Sequence, residues 1–148
     1  MIHKGTEFRK LALQRSDPYQ LIDLKMVRFD TRWVVPRIMR SLQLNMKGAN
    51  VKILAEKSGA MAAINANYFD EKGKPLGFLK VAADEANSNI SKSSLFTGIF
   101  GIKARLPLII HRDQFSPELV DEGLQAGPLL LTKGIALLVT RGAGKQSR

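Results

Sequence analysis

The apolar residues of this chain come in short bursts, each cut off by glycine, proline, asparagine or aspartate, and this punctuation restricts its fold more than any other feature. Bursts such as Pro128 to Leu131 and Ile135 to Val139, separated by Thr132, Lys133 and Gly134, fall far short of the roughly 20 residues of a membrane span. Short bursts rich in β-branched and aromatic residues read as strands. Phe8 to Leu13 and Gln20 to Phe29, with Ser16-Asp17-Pro18 between them, predict two strands joined by a turn. Trp33 to Pro36 predicts a strand end or edge, with Pro36 unable to donate to a central ladder.

One segment carries helix signals at both ends. Asn50 is placed as an N-cap, Val51, Ile53, Leu54 and Ala55 supply the apolar face, and Ser58-Gly59 supplies the stop, which gives a helix of about two turns. Ala60 to Asn65 follows as a continuous small-apolar run, expected to be a strand buried on both faces. Phe78 to Ala83, Leu95 to Ile102 and Leu106 to Ile110 read as further strands. Asn87 to Ser94 and Asp113 to Glu118 read as turns or loops, and Leu129 to Leu131 with Ile135 to Val139 as a hairpin around Lys133-Gly134. The expected architecture is an α/β or α+β single domain with a mixed, largely antiparallel sheet and few short helices. The domain is assigned to residues 1–140, and 141–148 to a flexible, basic, glycine-rich tail or loop.

Composition closes several routes to function. At 148 residues, 45% apolar and 24% charged, the chain suits one globular core. It has no cysteine, so disulfides, thiolate zinc sites and cysteine nucleophiles are excluded. His3 and His111 are too few and too far apart to suggest a zinc site. The net charge of +10 is spread along the chain, with residues 1–40 contributing +5. The one-sided stretch lies after Glu122, where Lys133, Arg141, Lys145 and Arg148 have no acidic counterpart. Such a field attracts polyanions in general. Aromatics interleaved with basic residues are scarce, which argues against a specific nucleic-acid site. The first residues lack the apolar core of a secretory signal.

Two segments concentrate candidate chemistry. The first runs Ile64-Asn65-Ala66-Asn67-Tyr68-Phe69-Asp70 and continues to Gly73-Lys74-Pro75-Leu76-Gly77. The second is Leu124-Gln125-Ala126-Gly127-Pro128-Leu129-Leu130, followed by Lys133-Gly134. Loops of this polar, aromatic and glycine-punctuated kind, flanked by strands, are where folds carry function. Taken in order, the segments resemble the phosphodiester glycosidase family, whose members include the enzyme that uncovers phosphate-linked mannose and bacterial proteins associated with exopolysaccharide. An Asn-small-small-aromatic-Phe-Asp stretch, a Gly-Lys-Pro-Leu-Gly stretch and a Gln-x-Gly-Pro-x-Leu stretch occur in the family's order, over roughly Val51 to Leu138.

The resemblance implies a hydrolase that cleaves a sugar-phosphate diester in a phosphate-bearing glycan or envelope polysaccharide. It places Asn65, Asp70 and Gln125 at the chemistry, and Tyr68, Phe69, Gly77, Gly127 and Arg148 against the substrate. It implies export, names no metal ligand and leaves a divalent cation requirement open. The family continues beyond the point corresponding to Arg148, so a shortened domain is expected, with an unpaired sheet edge available for self-association. The alternative is a non-catalytic basic module that binds anionic polysaccharide or another polyanion.

The residues support both chemical and structural roles. A phosphate leaving group is weakly basic, so breaking its anomeric C–O bond demands less general acid than an ordinary glycoside does. N–H donors and cations can then supply stabilisation: the N–H of Gly127, the amides of Asn65 and Gln125, and Lys74, Lys133 or Arg148. Asp70 is equally suited to act as base, nucleophile or cation ligand, or to cap the turn before Gly73. Asn65 fits either a site or a turn, and Tyr68 and Phe69 fit a wall or a core. The adjacent acidic pairs Asp70-Glu71, Asp84-Glu85 and Asp121-Glu122 would point to opposite strand faces and make no two-carboxylate site.

Overall fold

The computed structural model describes residues 3–82 and 84–137. Arg148, the 141–148 tail and the far end of the last expected strand lie outside them. The chain divides into two compact units, one running to Pro36 and one starting at Arg37.

The first unit is a long hairpin of β1 (Thr6–Ser16) and β2 (Tyr19–Phe29), antiparallel from Thr6↔Phe29 to Ser16↔Tyr19. Asp17 and Pro18 form the two-residue turn that the sequence predicts. At the open end, Glu7 faces Arg28 and bonds it at 2.6 Å, with Arg9 also at 2.6 Å. The Arg9 hydrogen bond, reinforced by the charge of Arg28, lowers the Glu7 pKa. Gly5 has φ +82°, and a Cβ there would come within 2.7 Å of Trp33 Cβ, so only glycine lets Trp33 pack at the hairpin base. Lys4 sits over the Trp33 ring at 3.5 Å from its centroid. Asp30 accepts from the backbone N–H and guanidinium of Arg32, whose hydrogen bonds lower its pKa to about 2. Trp33 to Pro36, expected as a strand, is irregular. No strand among the described residues takes up its backbone groups, and β propensity alone does not create a ladder.

The second unit is built on a five-stranded antiparallel sheet, β3 (Leu79–Val81), β4 (Asp84–Asn87), β5 (Gly98–Lys103), β6 (Leu106–His111) and β7 (Glu122–Ala126), in the order β4-β3-β7-β5-β6. All strand pairings among the described residues are antiparallel. One face carries Leu79, Val81, Ile102 and Leu124, closed by Ile38. Glu122, only 6% exposed, anchors that closing segment: its carboxylate accepts from Arg37 Nε at 2.6 Å and from the Ile38 N–H at 2.7 Å.

The opposite face carries Phe78 and Ile99, covered by Phe115 and Val120 from the β6–β7 connection. Gly101 and Gly123 lie opposite each other across β5 and β7. A Cβ on Gly123 would reach 3.0 Å from both Val120 and Phe78, and one on Gly101 would collide with Val120. The glycine pair is the recess into which Val120 packs.

Helix α1 (Val51–Ser58) forms as its end signals predict: Asn50 Oδ1 accepts from the Ile53 N–H at 3.0 Å, and Gly59 closes it with φ +67°. A short hairpin, β8 (Leu131–Thr132) with β9 (Ile135–Ala136), turns at Lys133-Gly134. The clear departure is Ala60 to Asn65. Expected as a doubly buried strand, it is exposed and belongs to no sheet, and Ile64 is 88% exposed. The edges of the five-stranded sheet are taken by β4 and β6 instead. An apolar run says that a surface should be covered, and not which strand covers it.

Candidate functional site

The site segments meet at the end of the second unit's sheet where β7 runs into Gly127. Tyr68, half exposed, donates its phenolic O–H to the Gly127 carbonyl at 3.3 Å. Its ring stacks on Phe96, with centroids 4.9 Å apart and planes 4° from parallel. Gly77 packs so tightly on Gln125 that a Cβ would approach Gln125 Oε1 to 2.7 Å. Tyr68, Gly77, Gln125 and Gly127 are therefore brought together from two segments about fifty residues apart.

Gln125 is the centre of this arrangement and is only 1% exposed. Its Oε1 accepts from the N–H groups of Phe78 at 3.2 Å and Ser91 at 2.7 Å. Its Nε2 donates to the carbonyls of Ser91 at 2.8 Å and Phe96 at 2.7 Å. Both lone pairs and both protons are thus used within the fold. The amide ties β3, β7 and the 91–96 loop into one body, a positioning role rather than one facing substrate.

The Gly127 conformation, φ +151°, leaves no room for a side chain: a Cβ would lie 2.6 Å from the Leu95 carbonyl. Beyond it, the Leu129 N–H donates to Thr97 Oγ1 at 2.9 Å. The 70–74 loop is self-contained. Asp70 Oδ1 accepts from the Lys72 N–H at 2.9 Å and the Lys74 N–H at 2.8 Å, while the Asp70 N–H donates to the Lys74 carbonyl at 2.9 Å. This is the turn-capping role the sequence allows, and Oδ1 alone accounts for both side-chain bonds.

Phe69 pairs with Pro75 through a backbone bridge and exposes 68% of its surface. Asn65 is exposed and has no hydrogen-bond partner among the described residues. Neither Asn65 nor Asp70 hydrogen-bonds to the 124–128 segment among those residues. Lys74 and Lys133 are exposed. No group of three or more metal-ligating side chains forms among the described residues, and no helix there is long and apolar enough to cross a membrane.

Other residues that shape this end of the sheet carry no signal in the sequence. Asn87 Nδ2 donates to the carbonyls of Pro75 at 2.8 Å and Gly77 at 2.9 Å, fixing the approach of the first segment. Arg112 spans the 91–93 loop, donating to the carbonyls of Ser91 and Ser93. An Asn in a polar run and an Arg after a strand are ordinary surface choices. Only the fold makes them brackets. The chain matches no protein-family profile, no curated protein and no solved structure.

Proposed function

We propose that this chain is a hydrolase of a sugar-phosphate diester, acting on a phosphate-bearing glycan or envelope polysaccharide. The observation that carries the reading is the junction of the two motif segments through Tyr68 and Gly127, 3.3 Å apart. Residues that the family resemblance assigns to one site, and that lie far apart in sequence, share one end of a sheet.

In this reading the exposed rings of Tyr68 and Phe69 take the apolar face of the sugar. The carboxylate of Asp70, oriented through its Oδ1, presents Oδ2 to the anomeric centre or to an attacking water. The Asn65 amide donates to the phosphodiester, and Lys74 and Lys133 supply positive charge toward the phosphate leaving group. Because that group departs as a weakly basic anion, no strong general acid is needed. Gln125 acts by holding Gly77, Ser91 and Phe96 in place.

A second reading, binding of an anionic polysaccharide without turnover, is favoured by one observation: the Gln125 amide and Asp70 Oδ1 are already engaged inside the fold. Release of free sugar from a sugar phosphodiester separates the two. Turnover by the wild type, falling at least about a hundredfold in both Asp70→Ala and Asn65→Ala, supports the hydrolase. Undiminished turnover in both variants overturns the site. Retention of anionic polysaccharide with no sugar released supports the binding module.

A further inference from the structure

The hairpin of the first unit carries an interaction surface that the proposed function does not use. Both of its strands are sheet edges among the described residues, where β1 and β2 pair only with each other. All eleven residues of β2 are exposed. A two-stranded ribbon is marginal in water on its own, and three or more strands with an apolar face are needed for independent stability. This ribbon is apolar on both faces. Leu11, Leu13, Ile22, Leu24 and Met26 share one face, each about 39–45% exposed. Tyr19, Leu21, Val27 and Phe29 share the other, at 38–65%. Long exposed edges of this kind are normally blunted by proline, bulges or charged side chains, and of these β2 has only the charges, Asp23, Lys25 and Arg28. The β1–β2 register runs unbroken and neither strand contains proline.

The order of residues in β2 names the occupant. Read from either end, Tyr-Gln-Leu-Ile-Asp-Leu-Lys-Met-Val-Arg-Phe pairs with itself. Two copies laid antiparallel about Leu24 set Tyr19 against Phe29, Leu21 against Val27, Ile22 against Met26 and Gln20 against Arg28. Asp23 then faces Lys25 of the second copy, twice. Within one chain these two charges are unanswered: Asp23 lies opposite Ala12, Lys25 lies opposite Lys10, and neither forms an ion pair among the described residues. Cross-strand opposite charges stabilise a ladder and like charges destabilise it.

Register is specified too. A twofold axis perpendicular to the sheet keeps each face continuous, so the central residue must face its own copy. Moving the centre to Asp23 sets two aspartates against each other, and moving it to Lys25 sets two lysines together. The β1 edge matches less well: centred on Leu11 it sets Glu7, already bonded to Arg9 and Arg28 in its own hairpin, against Arg15, and opposes Arg9 to Leu13, Phe8 to Gln14 and Lys10 to Ala12.

We propose that β2 is a homodimerisation edge. Two copies pair antiparallel about Leu24 into a β1-β2-β2-β1 sheet, related by a twofold axis through the Leu24 positions. The inference is independent of the phosphodiester reading, because it uses only residues before Pro36.

Sedimentation equilibrium of the 148-residue chain tests it, with a charge swap. The wild type is expected to dimerise. Lys25→Asp opposes carboxylates at both central pairs and is expected to raise the dimer Kd about tenfold or more, which the like-charge penalty allows. It also lies opposite Lys10 in its own hairpin, so the ribbon is retained, and the emission of the single tryptophan, Trp33, reports this. The double variant D23K/K25D restores opposite charges and is expected to recover the wild-type Kd to within about threefold.

A cross-link checks the geometry. The chain has no cysteine, and Leu24→Cys places one thiol beside its copy on the axis, at the Cα spacing a disulfide spans. It is expected to oxidise to covalent dimer faster than Ile22→Cys, which faces Met26. A wild type that stays monomeric overturns the proposal, as does a dimer that K25D leaves intact. Failure of the double swap to recover dimerisation overturns the Leu24 register, and so does equal cross-linking at positions 22 and 24.

Discussion

Replacing Gln125 by alanine strands three backbone groups at once, the N–H groups of Phe78 and Ser91 and the carbonyl of Phe96, while the Ser91 carbonyl keeps its bond from Arg112. Each buried, unsatisfied group costs about 1–3 kcal/mol, so Gln125→Ala is expected to lose about 3 kcal/mol or more, read from the shift of a urea transition. Tyr68→Phe removes one hydrogen bond at a half-exposed position and is expected to lose less than about 1 kcal/mol. Similar losses from both would deny Gln125 its bracing role. The oddity of a polar amide before Gly127-Pro128 is legible in the sequence. Its role is not, because the groups it satisfies belong to loops reached only through the fold, 29 to 47 residues away. Asn87 and Arg112 are hidden for the same reason, reaching carbonyls 10 to 21 residues away, whereas the Asn50 cap is legible because its acceptor and donor are three residues apart.

At the scale of elements, the turns separate what the sequence reveals from what it conceals. Ser16-Asp17-Pro18 and Lys133-Gly134 contain standard turn formers, and both hairpins form where they predict. The β5–β6 turn contains none. Lys103 pairs with Leu106, which leaves Ala104 and Arg105 at φ +47° and +70°, in the left-handed region that glycine and asparagine prefer. Asp121 compensates from the β6–β7 connection. Its carboxylate accepts from the Ala104 N–H at 2.8 Å and from Lys103 Nζ at 2.8 Å, and the Lys103 hydrogen bond with that N–H lowers its pKa. Replacing Ala104-Arg105 by Asn-Gly is expected to stabilise the chain by about 1–2 kcal/mol, measured by thermal unfolding. No gain would mean that the Asp121 contact already offsets the backbone strain. Ala60 to Asn65 errs the other way: its apolarity predicts a buried strand, but pairing is a property of a neighbour, and the sheet's edges belong to β4 and β6.

At the scale of the whole molecule, the two units differ in how they are stabilised. Every residue of the two buried apolar clusters, from Ile38 to Leu124, belongs to the unit that starts at Arg37. The hairpin before Pro36 contributes none of them, and its eleven β2 residues are exposed. Stability of the second unit should therefore be set by its own sheet, with both faces covered by segments of the same unit. A chain beginning at Arg37 is expected to unfold cooperatively with a Tm within about 3 °C of the full chain's, since the removed residues supply none of the buried clusters. Hydrogen exchange gives the complementary readout. Amides of β3, β5 and β7 should show protection independent of protein concentration, because their bonds close within one chain. Outward-facing amides of β2, with no strand partner among the described residues, should gain protection as concentration rises, because the proposed dimer bonds them to a second copy. A fragment from Arg37 that fails to fold would show that the hairpin supports the second unit, and with it that the division at Pro36 is not an energetic one.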